Sequence, residues 1–383
     1  VNVDRPPSTS PQKMQANETP RYKTGVLSVV PSPYQRDLFA ALAARPEVDL
    51  KVYYQEAAAP DSPWPDRERA PYESILPGRW FGISPRRIHV NWDLPDFRAF
   101  DVVILNTSYL SLATQWLMRA GLGETPWVVW AERLRAQDSK IKRAAQRLLT
   151  TPFGRASAIA GIGTLACRQY QQRFPDQRVV NIPYHCDLSV YRRVAEQSSS
   201  GEGVTFLFCG QMIHRKGVDL LLRAFEALVA DGLDVRLVLV GREAELPGMM
   251  EDVGPAARGR IAFEGFQDPD DLPRYFGQAD VFVLPSRHDG WGVVVNEALG
   301  AGLPLICSEA VGAAHDVIQP EENGVVVPSG QEQALRDAMR RVARDDELRT
   351  KWRRGARQNA DDWTPQRGAT RWTDVIESVL STP

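Results

Sequence analysis

The residues best placed to do chemistry in this chain lie between positions 208 and 304. In the first stretch, 208–222, an apolar run ends at Gly210, and Arg215, Lys216 and Gly217 stand where an amphipathic segment opens. Cations at the start of a helix oppose its macrodipole, a local cost unless an anion shares the place. A diphosphate would satisfy both cations and the free N–H groups of the first helical turn. A solvated Arg-Lys pair is the plainer alternative. The second stretch, 284–304, reads Leu-Pro-Ser-Arg-His-Asp-Gly-Trp-Gly before a helical pattern begins. Gly290 and Gly292 flank Trp291, and two glycines in one turn let backbone amides come close to a ligand. Asp289 precedes the helix and Glu297 follows eight positions later inside it, so both carboxylates can face one cleft. Carboxylates are natural acceptors for vicinal hydroxyls such as those of a ribose or hexose. The competing reading makes Asp289 a helix cap and Glu297 a solvated residue, but Val295, Ala298 and Leu299 around Glu297 weigh against solvation.

Such residues need a scaffold that brings loops together at one edge. From Thr24 onward, short apolar runs alternate with amphipathic stretches: 25–30, 48–54, 101–106, 126–132, 158–163 and 179–184, then 204–210, 235–241, 261–266, 281–286, 303–308 and 324–328. Runs rich in Val and Ile suit strands of a parallel sheet buried on both faces. Helices are expected at 216–231, 269–278, 293–301, 311–319 and 330–345. Residues 56–97, rich in Pro, Trp and charge, show no period and read as a long loop with one short helix. The polar stretch 192–203 interrupts the alternation as a linker would. The expected organisation is therefore a disordered lead-in at 1–20 and a first lobe at 21–191, then a linker at 192–203 and a second lobe at 204–364. A C-terminal helix, 365–383, would open at Thr364-Pro365 and return to the first lobe on a stripe of Trp372, Val375, Ile376, Val379 and Leu380. The class is α/β, with two Rossmann-like lobes facing across a cleft.

Composition narrows the partners. Of 383 residues, 46 are Lys or Arg and 48 Asp or Glu, for a formal net charge of −2, without the basic excess of a nucleic-acid binder. The four cysteines, Cys167, Cys186, Cys209 and Cys307, are scattered, as reduced thiols in a cytoplasmic protein would be. The first twenty residues have no apolar core, so no signal peptide is expected. No run reaches the ~18 apolar residues of a membrane span. The basic segment from Lys140 to Arg155 carries Ile141, Ala144, Ala145, Leu148 and Leu149 on one face, which is expected to pack on the lobe's own sheet. A peripheral contact with the inner face of a membrane is the alternative.

From Gly210 to Gly324 the chain resembles the second lobe of the retaining glycosyltransferases of family 4, which have the GT-B fold. The resemblance rests on Gly210, Lys216-Gly217, Pro285-Ser286, Asp289-Gly290-Trp291-Gly292 with Glu297, Gly312-Ala313-Ala314 and Asn323-Gly324, in order and correctly spaced. It implies transfer of a sugar from a nucleoside-diphosphate donor to a hydroxyl of a glycan or lipid-linked acceptor, with no metal and no cofactor. By the resemblance, Lys216 binds the diphosphate, Glu297 the ribose hydroxyls and Asp289 the donor sugar. Amides of Gly290 to Val294, Val293 included, would touch sugar and diphosphate, and backbone near Gly265 and Phe266 would meet the base. Asp289, Lys216 and Arg215 would carry the chemistry, with leaving-group charge stabilised by the cations. A retaining outcome in this fold is explained by attack on the face that the diphosphate leaves.

The chain also departs from the family pattern. Gln211 follows Gly210 where an Arg is usual, so Arg215 is expected to supply the missing charge, and Asp289 is one methylene shorter than the usual Glu. The acceptor side departs further: Tyr34, Gln35 and Arg36 form the opening loop without the common Gly-Gly, and Glu132 stands where many members have a His. Those four and Asn106 are the acceptor-side candidates. An inactive sugar-nucleotide-binding protein and another GT-B enzyme, such as a nucleotide-sugar epimerase, are the competing functions. Asp268-Pro-Asp270-Asp271 has a metal-binding spacing but opens a helix, where Asp is an expected cap.

Overall fold

The computed structural model describes residues 22–58, 68–83, 86–196 and 203–381. The 1–20 lead-in lies outside the described residues, as do positions 197–202 of the expected linker. Positions 192–196, also expected in the linker, belong to a helix, Ser189–Glu196.

The strands of the first half are β1 (Tyr22–Ser28), β2 (Val48–Tyr54), β3 (Glu73–Ile75), β4 (Gly78–Ile83), β5 (Arg86–Asn91), β6 (Val102–Asn106), β7 (Trp127–Ala131), β8 (Ala158–Gly161) and β9 (Val179–Asn181). All but β4 and β5 form one parallel sheet in the order β3-β2-β1-β6-β7-β8-β9. Val26 of β1 lies beside Val52 of β2 and Ile104 of β6, and β6 is buried along its whole length. Central strands covered on both faces need such unbroken apolar runs.

Residues 56–97 are not the long loop expected. They hold the edge strand β3, the antiparallel hairpin β4–β5 and a short 3-10 turn at Phe97–Ala99 in place of an α-helix. β3 escaped the pattern because its buried residue is Glu73. Arg36 pairs with that carboxylate at 2.7 Å, the Tyr54 hydroxyl donates to it at 2.7 Å and Ala70 N–H at 2.9 Å. A buried charge so fully bonded can occupy a place where an apolar side chain is expected. The basic helix Lys140–Thr150 forms, but its apolar stripe does not pack on the sheet. Ile141 is 83% and Leu148 68% exposed, which overturns the expected packing.

The second half contains β10 (Val204–Cys209), β11 (Val235–Val240), β12 (Ile261–Gly265), β13 (Val281–Leu284), β14 (Leu305–Ser308) and β15 (Gly324–Val327), parallel in the order β12-β11-β10-β13-β14-β15. Helices Val218–Ala230, Leu272–Gln278, Val294–Gly300, Ala314–Val317 and Glu332–Arg344 fall inside the expected segments. Before Leu272, Asp271 occupies the cap position without a side-chain capping bond. One long helix, Asp346–Asn359, was not anticipated. Asp345 caps it by accepting from Leu348 N–H, and Leu348, Trp352 and Ala356 form a buried stripe at every fourth position among charged residues.

Helix Pro365–Leu380 returns to the first lobe and packs on helix Pro33–Ala43. Trp372 meets Trp130 of β7 edge to face at 5.3 Å, and Gly368 permits the approach of Leu38 and His185. Buried side chains then run without a break from β1 and β2 through this helix into the second lobe. The two α/β lobes facing across a cleft, with the returning helix, are the architecture that the resemblance implied. Among the described residues no helix is long and apolar enough to cross a membrane.

Candidate active site

Ligands of open parallel sheets gather at the carboxyl ends of strands, and the candidate residues are found there. After β10, the chain turns through Gly210 and a 3-10 turn, His214–Lys216, into the Val218–Ala230 helix. Gly217 makes the turn possible: its φ is 75°, and a Cβ there would stand 2.2 Å from Pro285 O. The loops after β10 and β13 are thereby pressed together. Lys216 Nζ lies 2.5 Å from Asp289 Oδ2, with both side chains largely covered. Arg215 donates to His288 O at 2.8 Å, so it braces the same loop. Gln211 is half-buried beside them. The cation next along, Arg287, is committed to Asp219 at 2.6 Å.

The glycine turn leaves its amides open. Asp289 N–H donates to Ala310 O, and Ala313 and Gly312 donate to the carbonyls of Trp291 and Asp289. Among the described residues, the N–H groups of Gly290, Trp291, Gly292, Val293 and Val294 have no protein acceptor. Trp291 is only 1% exposed; its ring packs near Tyr184 and Trp363, and its Nε1 donates to Asn296. Its ring therefore cannot supply an apolar face for a sugar. Its main-chain N–H is what it offers.

Glu297 lies in the first turn of helix Val294–Gly300, below the open amides. Burial pushes its carboxyl up to about 7, partly countered by the Tyr191 hydroxyl that donates to it. Gly265 ends β12 at φ 70°, and the Phe266 ring beside it is 47% exposed, an open aromatic face at the strand ends.

From the first lobe, Tyr34, Gln35, Asn106 and Glu132 line one cavity of about 420 Å3, with Tyr184 on its wall. Asn106 Oδ1 accepts from Gln35 Nε2 at 2.5 Å and from the Ser28 hydroxyl at 3.3 Å, and its amide donates to Trp130 O. Arg36 does not join them. Its guanidinium is bound to Glu73 and Glu68 O, away from the cavity, so the structure removes it from the acceptor side.

Glu132 reaches the opposite lobe. A Cβ on Gly290 would stand 1.7 Å from Glu132 Oε2, so only glycine admits the carboxylate there. The carboxylate is open to the cleft yet lies deep between the lobes, and that enclosure, with the nearby Asp289 charge, pushes its pKa up to about 7 against Lys216, Tyr184 and Arg133. Arg133 donates to Asp289 O at 3.2 Å and to Ala310 O. A second cross-lobe contact lies nearby: Thr164 N–H and hydroxyl donate to the Asp316 carboxylate, each at 2.8 Å, and Asn181 donates to it at 2.7 Å.

Structure thus adds Arg133, Tyr184, Tyr191 and Asp316 to the site. Each is a lone residue in an ordinary sequence context, and only the packing of two lobes shows its use.

The protein-family description "Glycosyl transferases group 1" matches residues 193–359. The chain is 30% identical over 212 residues to D-inositol 3-phosphate glycosyltransferase of Saccharomonospora viridis, covering 51% of this chain and 49% of that one. It is 27% identical over 240 residues to the GDP-mannose-dependent alpha-(1-6)-phosphatidylinositol dimannoside mannosyltransferase of Mycobacterium tuberculosis strain H37Ra, covering 60% of each. These alignments span about half to three fifths of the relatives' own length. Among solved structures, sucrose-phosphate synthase of Thermosynechococcus elongatus superposes with a TM-score of 0.72 at 19% identity, over 95% of this chain and 100% of that one. The chain has the GT-B fold, and its residues 193–359 are similar to the group 1 glycosyl transferases.

Proposed function

We propose that this protein is a retaining, metal-independent glycosyltransferase that moves a sugar from a nucleoside-diphosphate donor to a hydroxyl of a glycan or lipid-linked acceptor. The observation that carries the reading is the meeting of Lys216, Asp289 and the five open amides of 290–294 at one strand edge, opposite Glu132. A diphosphate draws Lys216 away from Asp289 and takes the amides, as an anion does at any cluster of oriented N–H groups. Asp289, released, accepts from donor-sugar hydroxyls. Glu297 takes the ribose, the open face of Phe266 the base, and Gln211 and Arg215 border the phosphates. Negative charge develops on the leaving diphosphate, and Lys216 with the amides stabilises it in place. A diphosphate oxygen accepts the acceptor's proton on the face where the new bond forms. Names of relatives that act on inositol phosphate and phosphatidylinositol mannosides support a surface-glycan or glycolipid acceptor. The exposed stripe of helix Lys140–Thr150 supports a peripheral contact with a membrane face.

The test begins with a thermal-shift panel of nucleoside diphosphates and their sugars, since a ligand specific to the folded state raises the midpoint. The donor so identified is then incubated with acceptor mixtures in EDTA. Release of nucleoside diphosphate and an anomeric configuration matching the donor are expected. Binding without release in any acceptor mixture would favour the inactive binding protein.

A further inference from the structure

A second depression, of about 760 Å3, lies in the first lobe beside the Glu132 cavity. The two share Leu134 and Arg135 in their walls, so they lie side by side. Arg135, Arg147 and Arg173 line this depression, and no carboxylate does. Among the described residues none of the three arginines forms an ion pair, whereas Arg223, Arg260, Arg287, Arg340 and Arg341 on the second lobe do. Arg173 is held in position: it donates to Arg147 O at 3.2 Å and to the Thr150 hydroxyl, and its guanidinium lies 5.4 Å from the centre of the Phe174 ring. Burial and the charge of Arg147 both push its pKa down. Like charges gathered without a counter-charge around one member held in place are the arrangement of an anion site.

Guanidinium forks pair with the oxygens of a phosphate, and a phosphate has enough oxygens to engage more than one. The depression is also far larger than a single phosphate and has room for the group that carries it. We propose that it binds a phosphate ester borne by the acceptor, which seats the acceptor with its free hydroxyl toward Glu132. The assignment to an acceptor rests on the glycosyltransferase reading; the phosphate site itself rests on the arginines. Two sources share this chemistry. A water-soluble phosphate ester would use the arginines alone, whereas a lipid headgroup would also place acyl chains near Ile141 and Leu148, exposed on the helix that carries Arg147.

The full chain is titrated calorimetrically with sn-glycerol 3-phosphate and sedimented with phosphatidylcholine vesicles, with and without phosphatidylglycerol. Binding to at least one probe is expected, and Arg147→Gln and Arg173→Gln should each weaken it at least tenfold. Arg147 keeps the test valid if Arg173→Gln fails to fold, because its guanidinium makes no protein hydrogen bond among the described residues. Lys142→Gln removes the same charge from the same helix outside the depression and should weaken binding less than twofold. Binding of the soluble probe identifies a free phosphate ester. Binding confined to phosphatidylglycerol vesicles, and lost in Ile141→Ser with Leu148→Ser, identifies a headgroup. No binding to either probe, unchanged binding in both arginine variants, or an equal loss in Lys142→Gln would overturn the site. Nucleoside diphosphate titration of the same samples separates the two readings, since its failure would remove the transferase and leave the phosphate data standing.

Discussion

At the scale of single residues, the site is organised by charges that constrain one another. Lys216 and Asp289 form a covered pair, so in the proposed reaction a diphosphate competes with Asp289 for the ammonium. Lys216→Ala removes a charge-assisted contact worth about 1.5–3 kcal/mol, and donor affinity or transfer should fall ten- to a hundredfold; an unchanged donor titration would end the diphosphate assignment. The two carboxylates should separate by ligand. Asp289→Asn should lower transfer while free nucleoside diphosphate still binds, whereas Glu297→Ala should weaken the free nucleotide too. Asp289 is short where Glu is usual, and the neighbouring Gly290 is where Glu132 crosses from the first lobe. A Glu at 289 would carry its carboxylate about one C–C bond farther, ~1.5 Å, and alter its contact with Lys216, so Asp289→Glu should change donor preference. Glu297 gives a pH test. Burial holds its carboxyl at about 7 in the folded chain, above the ordinary unfolded value of ~4.3. The folded state therefore binds the proton more tightly, and this group's stabilisation is full below the unfolded pKa and lost as pH rises through 7. Glu297→Gln, which cannot ionise, should raise Tm relative to the parent at pH 8 and show little gain at pH 4. A larger gain at pH 4 would reverse the sign.

At the scale of elements, the question is what holds a site assembled from two sheets. Helix Thr164–Arg173 begins at Gly163, which has no side chain to cap it. The cap comes from the other lobe, as Asp316 accepts from Thr164 N–H and hydroxyl while also bonding Asn181. Replacing a capping carboxylate with Ala costs about 0.5–2 kcal/mol. Asp316→Ala should therefore lower Tm modestly, speed amide exchange at the start of the Thr164 helix, and weaken the closed arrangement of the lobes. X-ray scattering of the variant should show a larger radius of gyration; an unchanged one would mean that Arg133 and the returning helix suffice. This scale also shows where sequence patterns succeed. The Val- and Ile-rich central strands were legible because burial on both faces leaves no room for polar residues. β3 was not, because Glu73 is buried by pairing and not by being apolar. Helix Asp346–Asn359 was hidden for a related reason, since its three buried apolar positions are outnumbered by charges on its open face.

At the scale of the whole molecule, what could be read from sequence was the second-lobe half of the candidate site, and what could not was its junction with the first-lobe half. Lys216 follows β10, while Asp289, the glycine turn and Glu297 follow its neighbour β13, so spacing after each strand carries their geometry. Glu132, Arg133 and Tyr184 acquire a role only when a second sheet is laid against the first, and no local spacing encodes that. The exposed stripe of Ile141 and Leu148 misled for the same reason: periodicity marks an apolar face, but tertiary packing decides whether anything covers it. The same junction governs stability. Buried side chains continue from the first sheet through helix Pro365–Leu380 into the second lobe, and Trp372 joins that helix to β7. Two lobes that share one core should unfold together. A nucleoside diphosphate that touches only the second lobe, at a hundred times its Kd, stabilises the folded chain by about 2.7 kcal/mol, and that gain should extend to probes in the first. Amide exchange of β1 and β6, followed with and without the nucleotide identified by thermal shift, should slow along with that of β10 and β13. Trp372→Ala, which costs about 3–5 kcal/mol by removing a buried aromatic, should lower the midpoint and split the transition in two. Protection confined to the second lobe in the parent protein would show that the continuous core does not couple the lobes.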